Sequence, residues 1–315
     1  MRERILALVD ELKRRKADGD ELVYVAPESI AALRTAVRAK QGAGAAQADA
    51  APSRRLADAA PAIDRQAPAV LPVADEPAFE MKPYRKPAPA VVVEQGPALP
   101  EPPSFTVPEG DKRMRWEWLR DRVLNCPVCK ANLNPGKQIV FGNGNIDADI
   151  FFCGEAPGAD EETQGIPFVG KAGQLLIKII SAMGLSREQV YIGNIMNWRP
   201  QTGQATGNRP PTEEEMAFCL PYLMAQVEVV RPKVIVALGN TAVTGLMGPD
   251  KNRRLGKIRG QWFDFKGTPL MPTYHPSYVL QYGSNAVKRQ IWEDMLTVME
   301  RVGLPISEKQ QGYFR

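Results

Sequence analysis

Short apolar runs and helical patterns alternate along residues 149–302 of this 315-residue chain, and this alternation limits the folds open to it. Apolar runs bounded by turn residues predict buried strands, and apolar residues at every third or fourth position predict amphipathic helices. Three strands are predicted at residues 149–153, 190–196 and 234–238. Two further segments, residues 261–265 and 270–274, are predicted to form either a hairpin or a final strand of the sheet. The predicted helices are residues 173–183, a long helix with Thr212 as its N-cap, 241–247 and 286–302. Such alternation predicts a three-layer α/β domain around a mostly parallel sheet.

The chain before this alternation has two segments of different composition. Apolar residues at helical spacing, among them Ile5, Leu8 and Leu12, predict a small helical motif near the start. The motif is too short to support its own core, so we expect it to dock on the main domain or on an unknown protein partner. Thirteen of the 28 prolines fall in residues 51–110, which indicates a disordered Ala- and Pro-rich linker. The predicted boundaries are 1–41 for the motif, 42–113 for the linker, 114–305 for the catalytic domain and 306–315 for a tail.

The composition excludes several classes of protein. No run of about eighteen apolar residues is present, and the N-terminus lacks the core and cleavage site of a signal peptide. We therefore expect a cytoplasmic protein that does not bind a membrane. His275 is the only histidine, which excludes any site that needs two. In a reducing compartment, a Cys-x-x-Cys pair more often binds a metal or does redox chemistry than forms a disulfide.

Glycine-rich and polar segments follow the predicted strands, where ligands bind in open α/β sheets. They are residues 154–158, Asn194, residues 239–240 and His275. Taken singly, each of these features is common in turns and indicates little. Because Glu155, Asn194 and His275 are all expected at the same sheet edge, together they indicate a binding site.

Five basic residues lie within nine positions of a predicted loop. They are Lys251, Arg253, Arg254, Lys257 and Arg259. A cluster of this kind can bind the phosphates of a nucleic acid. A solvated surface loop has the same composition, so the cluster alone leaves both interpretations open.

Several segments resemble, in order, the motifs of the family 4 uracil-DNA glycosylases. They are residues 154–158 with Glu161, 165–176, 191–194, 199–200, 207–215, 232–239 and 272–277. The resemblance covers about residues 120–302 and leaves residues 1–110 unmatched. It implies a four-stranded, mostly parallel sheet between helices. It also implies a DNA repair enzyme, expected to be a monomer, that flips uracil out of DNA and hydrolyses its N-glycosidic bond to leave an abasic site.

The resemblance also implies roles for residues at the sheet edge. Asn194 matches the residue that reads the uracil edge, and Phe168 matches an aromatic ring that stacks on the base, with Ala156 in the same substrate site. His275 matches a histidine that donates a hydrogen bond to uracil O2 as negative charge develops there. Glu155 and Glu161 match acidic positions near the sugar, where one orients the attacking water and either stabilises the cationic sugar.

The expected DNA contacts follow from the same resemblance. The basic cluster from Lys251 to Arg259 and the loop after His275, including Ser277 and Tyr278, are expected to hold the DNA backbone. One of three residues, Tyr278, Val279 or Leu280, is expected to fill the gap left by the extruded base. Alternatively, the apolar residues there only begin the next helix.

The family ligates a [4Fe–4S] cluster with four cysteines, and this sequence departs from that set at one position. Cys126 and Cys129 match the family's Cys-x-x-Cys pair, and Cys219 matches a third ligand. Trp198 stands at the remaining ligand position, and its indole N–H cannot replace a thiolate. Cys153 is expected to be a buried apolar residue of a strand. Three alternatives follow: three thiolates hold a cluster with an open or exogenous ligand, Trp198 fills the space of a lost cluster, or zinc binds with another ligand.

Two other functions are compatible with parts of the sequence. A module that binds uracil-containing DNA or abasic sites without turnover would keep the same pocket residues. A nucleotide-binding protein could use residues 154–158 as a phosphate loop, but the sequence lacks the Lys-Ser/Thr and GxGxxG patterns of such loops. Turnover on a uracil-containing oligonucleotide distinguishes the glycosylase from both.

Overall fold

The computed structural model describes residues 99–202 and 207–315, and within them the chain forms six β-strands and ten α-helices. The strands are β1 (Asn143–Gly144), β2 (Ile150–Gly154), β3 (Tyr191–Asn194), β4 (Val234–Leu238), β5 (Phe263–Phe265) and β6 (Thr268–Thr273). The helices are α1 (Lys112–Leu124), α2 (Pro127–Ala131), α3 (Ala159–Gln164), α4 (Lys171–Ala182), α5 (Glu213–Val230), α6 (Asn240–Met247), α7 (Leu255–Ile258), α8 (Pro276–Tyr282), α9 (Asn285–Val302) and α10 (Glu308–Gly312).

The six strands form one mixed sheet in the order β1-β3-β2-β4-β6-β5. The four inner strands run parallel, and the short edge strands β1 and β5 pair antiparallel with β3 and β6. The predicted α/β class is confirmed, but the predicted count of four strands is wrong because two edge strands extend the sheet. β6 belongs both to a hairpin with β5 and to the parallel sheet beside β4, so the two alternatives for this segment are both realised.

The sheet is buried on both faces, as expected of parallel strands covered by helices. Alternate residues of β2 point to opposite faces: Phe151 and Cys153 enter one core with residues of α1, α5 and α6. Ile150 and Phe152 enter the other core with residues of α4 and α9. This alternation makes the three layers and explains why β2 and β4 are apolar throughout.

Helix α5 begins where the sequence predicts. The Glu215 N–H donates to the Thr212 hydroxyl at 3.1 Å, and the Glu215 carboxylate accepts from the Thr212 N–H at 2.7 Å. This reciprocal pair satisfies two donors that a helix start otherwise leaves open. Thr212 is therefore confirmed as the N-cap.

The described end of the predicted linker packs on the domain. α1 begins at Lys112, and Phe105 stacks on Tyr222 of α5 with ring centroids 5.4 Å apart. The ordered domain thus begins before residue 114, because aromatic residues here bury apolar surface that a solvated linker lacks. The predicted helical motif in residues 1–41 lies outside the described residues.

The predicted C-terminal tail also packs on the domain. Residues 308–312 form α10, and the Trp292 indole N–H donates to the Gln310 carbonyl at 2.6 Å. The Gln310 amide in turn donates to the Ala182 carbonyl at 2.8 Å. These bonds join the tail to α9 and α4. No helix within the described part of the chain is long and apolar enough to cross a bilayer.

The register of the parallel strands brings their carboxyl ends together. Gly154 at the end of β2 lies opposite Asn194 at the end of β3, and Leu238 of β4 lies opposite Thr273 of β6. The loops that follow these residues therefore meet at one edge of the sheet. The segments containing Glu155, Asn194 and His275 are on these loops or strand ends.

Candidate active site

A pocket forms where the ends of β2, β3 and β6 meet. At Gly154, a Cβ atom would lie 2.4 Å from Asn194 Oδ1 and 2.5 Å from the Phe168 ring, so only glycine leaves room for both side chains. The Phe168 and His275 rings lie 5.7 Å apart, centroid to centroid. Three of the predicted substrate residues are thus brought together around the Gly154 backbone.

Asn194 carries a buried acceptor without a partner. The residue is 6% exposed, and its Oδ1 atom makes no hydrogen bond. Leaving such an atom unpaired costs about 1–3 kcal/mol, and native proteins rarely tolerate it without a reason. The atom is therefore available to accept from an N–H group of a ligand.

The Phe168 backbone is held in a left-handed conformation. Its φ is 55°, which is uncommon for a residue other than glycine. The Arg187 guanidinium donates to the Phe168 carbonyl at 2.9 Å and also to the Pro167 carbonyl. Gly173 of α4 lies directly beneath, since a Cβ there would lie 2.1 Å from the Phe168 carbonyl carbon. These contacts stabilise a strained conformation that directs the ring into the pocket.

Glu161 is buried and uses its carboxylate within its own loop. One carboxylate oxygen accepts from the N–H groups of Val169 at 3.0 Å and Gly170 at 2.9 Å, and the other from Gly158 at 3.1 Å. Three backbone bonds to one carboxylate tie the loop before α4 to the start of α3. This geometry fits a positioning residue, and a catalytic role for Glu161 stays a prediction.

Glu155 follows β2 directly and is half-buried. Burial raises the pKa of its carboxyl, and a hydrogen bond with Thr241 in the first turn of α6 opposes that rise. Its backbone carbonyl accepts from the Met196 N–H at 3.1 Å, which fixes the strand end beside β3. Ala156, the next residue, packs its side chain against the core rather than remaining in solvent.

His275 is neutral and holds one tautomer. It caps α8, and its Nδ1 atom accepts from the Ser277 N–H at 3.2 Å, with the Ser277 hydroxyl 2.7 Å away. Because Nδ1 accepts, the proton of the neutral ring resides on Nε2. Burial lowers the pKa of His275 to about 4, so the ring is uncharged at neutral pH. The segment after His275 is thus helix α8 rather than the predicted loop, with Ser277 in its first turn in contact with His275, and a DNA contact of Ser277 stays a prediction.

The strand that carries His275 is anchored by a buried network that sequence reasoning missed. The Thr273 hydroxyl donates to Asp294 Oδ2 at 2.6 Å, and the Arg259 guanidinium binds both oxygens of Asp294, at 2.5 and 3.0 Å. Burial raises the pKa of Asp294 to about 6, although the Thr273 hydrogen bond and the charge and hydrogen bonds of Arg259 oppose the rise. No local motif marks Asp294, because its partners lie 21 and 35 residues away in the chain.

The predicted basic cluster divides into two groups. Arg259 is committed to Asp294, and the Arg253 guanidinium donates to the Gly248 carbonyl at 2.7 Å at the end of α6. Lys251, Arg254 and Lys257 are exposed. The charges that face solvent are therefore three of the five.

The candidate wedge residues also differ in exposure. Val279 is 4% exposed and belongs to the core, and Leu280 packs against the same core. Tyr278 lies on another face of α8, where its ring stacks on Tyr274 with centroids 4.7 Å apart. Val279 is thus a core residue, and the wedge role stays a prediction for the half-buried Tyr278 and Leu280.

The three cysteines predicted as ligands interact with one another. A hydrogen bond from the Cys129 thiol lowers the pKa of Cys126 to about 5, and the charge interactions of both residues extend to Cys219. Trp198 is 1% exposed and packs against Phe218, with ring centroids 6.0 Å apart.

Among residues 99–202 and 207–315, no group of three or more Cys, His, Asp or Glu is arranged to hold a metal ion. This donor set does not fit a four-thiolate cluster. Cys153 is buried on β2, as predicted.

A separate cleft of about 550 Å³ opens beside Cys126. Trp118, Arg122 and Tyr222 line it, and the Arg122 guanidinium lies 5.4 Å from the Trp118 ring centroid. None of the lining residues belongs to the pocket around Asn194. The cleft is therefore a different feature of the molecule.

Fold and pocket together define an α/β protein with a buried, unpaired acceptor and two rings at the carboxyl edge of its sheet. Residues 141–296 match the uracil DNA glycosylase superfamily. The chain is 42% identical over 180 residues to the Type-4 uracil-DNA glycosylase of Thermotoga maritima, a match covering 57% of this chain and 90% of that protein. It belongs to the type-4 uracil-DNA glycosylase family.

Archaeal relatives support the same assignment. The Type-4 uracil-DNA glycosylase of Saccharolobus solfataricus is 38% identical over 189 residues, 58% of this chain and 84% of that protein. The one from Archaeoglobus fulgidus is 35% identical over 206 residues, 63% of this chain and 98% of that protein. The relatives thus align over most of their own lengths with a little over half of this chain.

Proposed function

We propose that this chain is a uracil-DNA glycosylase that hydrolyses the N-glycosidic bond of uracil in DNA and leaves an abasic site. The observation that carries the proposal is the unpaired Oδ1 atom of Asn194, buried beside the rings of Phe168 and His275. A pocket at a sheet edge is common to many α/β proteins, but an unpaired buried acceptor next to an aromatic ring suits a planar N–H donor. Base flipping delivers such a donor from DNA.

Uracil fits the hydrogen-bonding pattern of the Asn194 amide. Its N3–H donates to Oδ1, and its O4 accepts from the amide N–H. Cytosine presents an acceptor at N3 and a donor at N4, so both amide groups would remain unpaired, at a large cost in a buried site. Phe168 stacks on the base and excludes water from it.

His275 stabilises the charge that develops on the leaving base. As the bond between the sugar C1′ and N1 breaks, negative charge accumulates on the uracil ring, and O2 accepts from the Nε2–H of His275. A neutral ring suits this role, since the pKa of about 4 keeps the donor in one protonation state at physiological pH. Ser277 fixes the tautomer by occupying Nδ1.

Glu155 is the carboxylate that acts at the sugar. Both carboxylate oxygens of Glu161 already accept hydrogen bonds from backbone N–H groups. The Glu155 carboxyl has one side-chain hydrogen-bond partner, Thr241. When ionised, Glu155 orients the attacking water and stabilises the cationic sugar. Glu161 instead holds the loop that positions Phe168.

Lys251, Arg254 and Lys257 supply the DNA phosphate contacts. These three residues are exposed, and the Arg254 guanidinium also donates to the Lys251 and Arg253 carbonyls of its own loop. Arg253 and Arg259 are half-buried and bonded to Gly248 and Asp294. Each phosphate contact releases counterions, so affinity should fall as salt rises. Alanine variants of the exposed three should reduce that salt dependence, and an Arg253 variant should instead affect stability.

Trp198 removes one ligand of the family's [4Fe–4S] cluster, and the fold is held there by packing. Trp198 is buried against Phe218, and three thiols without a fourth do not make a four-thiolate site. Purified anaerobically, the protein should fold while containing less than stoichiometric iron and no visible absorbance. The Trp198→Cys variant restores four cysteines and serves as the matched control, since it should gain iron and colour. Stoichiometric iron in the unaltered protein contradicts the proposal.

The decisive experiment measures uracil release. A single-stranded oligonucleotide with one uracil should become alkali-labile when mixed with a catalytic amount of the protein, over many turnovers. The same oligonucleotide with cytosine at that position should not. A gel shift without turnover would instead identify a binding module.

A further inference from the structure

Three tyrosines form a ladder that begins beside His275. Tyr274 follows β6 directly, and Tyr278 and Tyr282 lie four and eight residues further on, in α8. Residues four apart lie on the same face of a helix. The Tyr274 and Tyr278 rings stack with centroids 4.7 Å apart at 17°, and the Tyr278 and Tyr282 rings contact each other in a tilted arrangement, with centroids 4.6 Å apart at 39°. The ladder therefore runs from the pocket along one face of α8.

The ladder leads from the core to the surface. Tyr274 packs against the core formed with α4 and α9, and Tyr282 at the far end is 40% exposed. The other face of α8 is buried through Pro276 and Val279. Core packing thus accounts for one face of the helix but not for the row of contacting tyrosines on another.

Positive charge lies alongside the first ring. The Arg259 guanidinium lies 5.9 Å from the Tyr274 ring centroid, and a Cβ at Gly256 would lie 3.2 Å from the Tyr274 hydroxyl. α7 therefore adjoins the ladder, and it carries Lys257, which is exposed. Arg254, also exposed, caps the same helix.

Aromatic rings beside exposed cations are the combination that holds unpaired nucleic acid. Bases of any sequence can stack on an aromatic side chain, while lysine and arginine neutralise the phosphates. Bases within a duplex are already stacked between their neighbours and do not need such a surface. Charge and ring geometry together favour a single strand of DNA as the occupant.

We propose that the tyrosine ladder ends in a stacking platform, where an unpaired base near the uracil in single-stranded DNA stacks on the exposed ring of Tyr282 and extends the row formed by Tyr278 and Tyr274. Lys257 and Arg254 bind the phosphates of the same strand. The proposal rests on the proposed function, because the adjoining pocket must take its base from DNA. It extends that function by making single-stranded DNA the preferred substrate.

The test compares substrates with and without neighbouring bases. Uracil release is measured on a trinucleotide, on a single strand of about fifteen nucleotides, and on a duplex of the same length. Tyr282→Ala should lower kcat/KM on the long single strand by about 5- to 150-fold, the range for one stacked base. It should change the trinucleotide and duplex rates by less than about 2-fold. Tyr282→Phe should match the unaltered protein because it keeps the ring.

Two controls separate the platform from a loss of folding. Leu124 is 37% exposed on α1, in the layer on the opposite side of the sheet, so Leu124→Ala removes a similarly exposed side chain elsewhere. Lys257→Gln leaves the ladder intact and should lower the salt dependence of single-strand binding by about one charge. If Tyr282→Ala does not fold, Tyr282→Leu, which keeps apolar bulk and removes the aromatic ring, tests the platform in its place and should show the same selective loss on the long single strand.

A binding measurement distinguishes this proposal from the proposed function. Fluorescence anisotropy on uracil-free single-stranded DNA should show weaker binding by Tyr282→Ala, whether or not uracil is released. Absence of uracil release by the unaltered protein overturns the proposed function alone. Equal losses on all three substrates, or no loss in either assay, overturn the platform.

Discussion

Asn194 and Trp198 are four residues apart in the chain, yet their surroundings differ in kind. Around Asn194, a polar atom is buried without a partner, and the nearby Phe168 backbone is strained. Around Trp198, apolar side chains fill the interior and the thiols interact with one another. The unpaired acceptor and the strained backbone of the first region lower the stability of the fold but keep a binding site open, whereas the packed second region stabilises the fold. Mutations in the two regions should therefore affect different measurements.

The largest expected effect is on activity, at the pocket. Asn194→Ala should lower kcat/KM for uracil release by about 10⁴-fold, the scale on which buried hydrogen-bond readers discriminate. The free energy of unfolding should change by less than about 1 kcal/mol, because removal of the unpaired acceptor offsets the lost volume. Single-turnover assays and urea titration measure the two quantities. More than a tenth of the activity remaining would contradict the assigned role.

The next largest effect is on stability, at Trp198. Trp198→Ala should lower the free energy of unfolding by about 3–5 kcal/mol, since it empties a large volume in a packed core. Activity per folded molecule should stay within a few-fold of the unaltered protein. Trp198→Phe, which keeps a ring, should lose less. A loss below about 1 kcal/mol after Trp198→Ala would show that packing does not hold this region.

Glutamine substitutions at the two acidic residues should likewise separate an effect on activity from an effect on stability. Glu155→Gln should lower kcat by about a hundredfold, because it removes the charge at the sugar. The free energy of unfolding of this variant should stay close to that of the unaltered protein, since burial already favours the neutral form of Glu155. Glu161→Gln should lower the free energy of unfolding by about 1.5–3 kcal/mol, because it weakens charge-assisted bonds to three N–H groups. Reversed results would return the catalytic role to Glu161.

The smallest expected effect near neutral pH is that of the titration of His275. With its pKa lowered from 6.5 to about 4, the folded ring stays neutral while the unfolded chain gains a proton between those values. This residue therefore lowers the free energy of unfolding as pH falls from 6.5 to 4. Urea titrations across that window should show a weaker pH dependence in His275→Gln. Because His275 stays neutral in this range, its titration should lower activity by less than about 2-fold between pH 7 and pH 5.5.

The sequence predicted the parts of the site that local patterns encode. The turn after β2, Asn194 and His275 each follow an apolar run, and the parallel sheet brings such positions together. Thr212 could be predicted as an N-cap because a capping box depends on residues only three positions apart in the chain. The edge strand β1 was missed because two residues carry no periodicity.

Long-range partners decided what the sequence did not predict. Arg253 and Arg259 look like Lys251 and Lys257 in a list of charges, but acceptors at Gly248 and Asp294 hold them within the fold. Likewise, Glu161 belongs to a charged run, and only the folded loop reveals its three backbone donors. Charge type is local information, whereas the identity of the partner depends on tertiary structure.

The vacant acceptor on Asn194 also bears on what happens after the bond is cut. An oxygen that gains its hydrogen bond from the N3–H of uracil gains the same bond from the free base. Release of the product therefore leaves this oxygen unpaired again, and the departing uracil should compete with the next substrate. The atom that selects the damaged base thereby also sets how readily the protein lets it go.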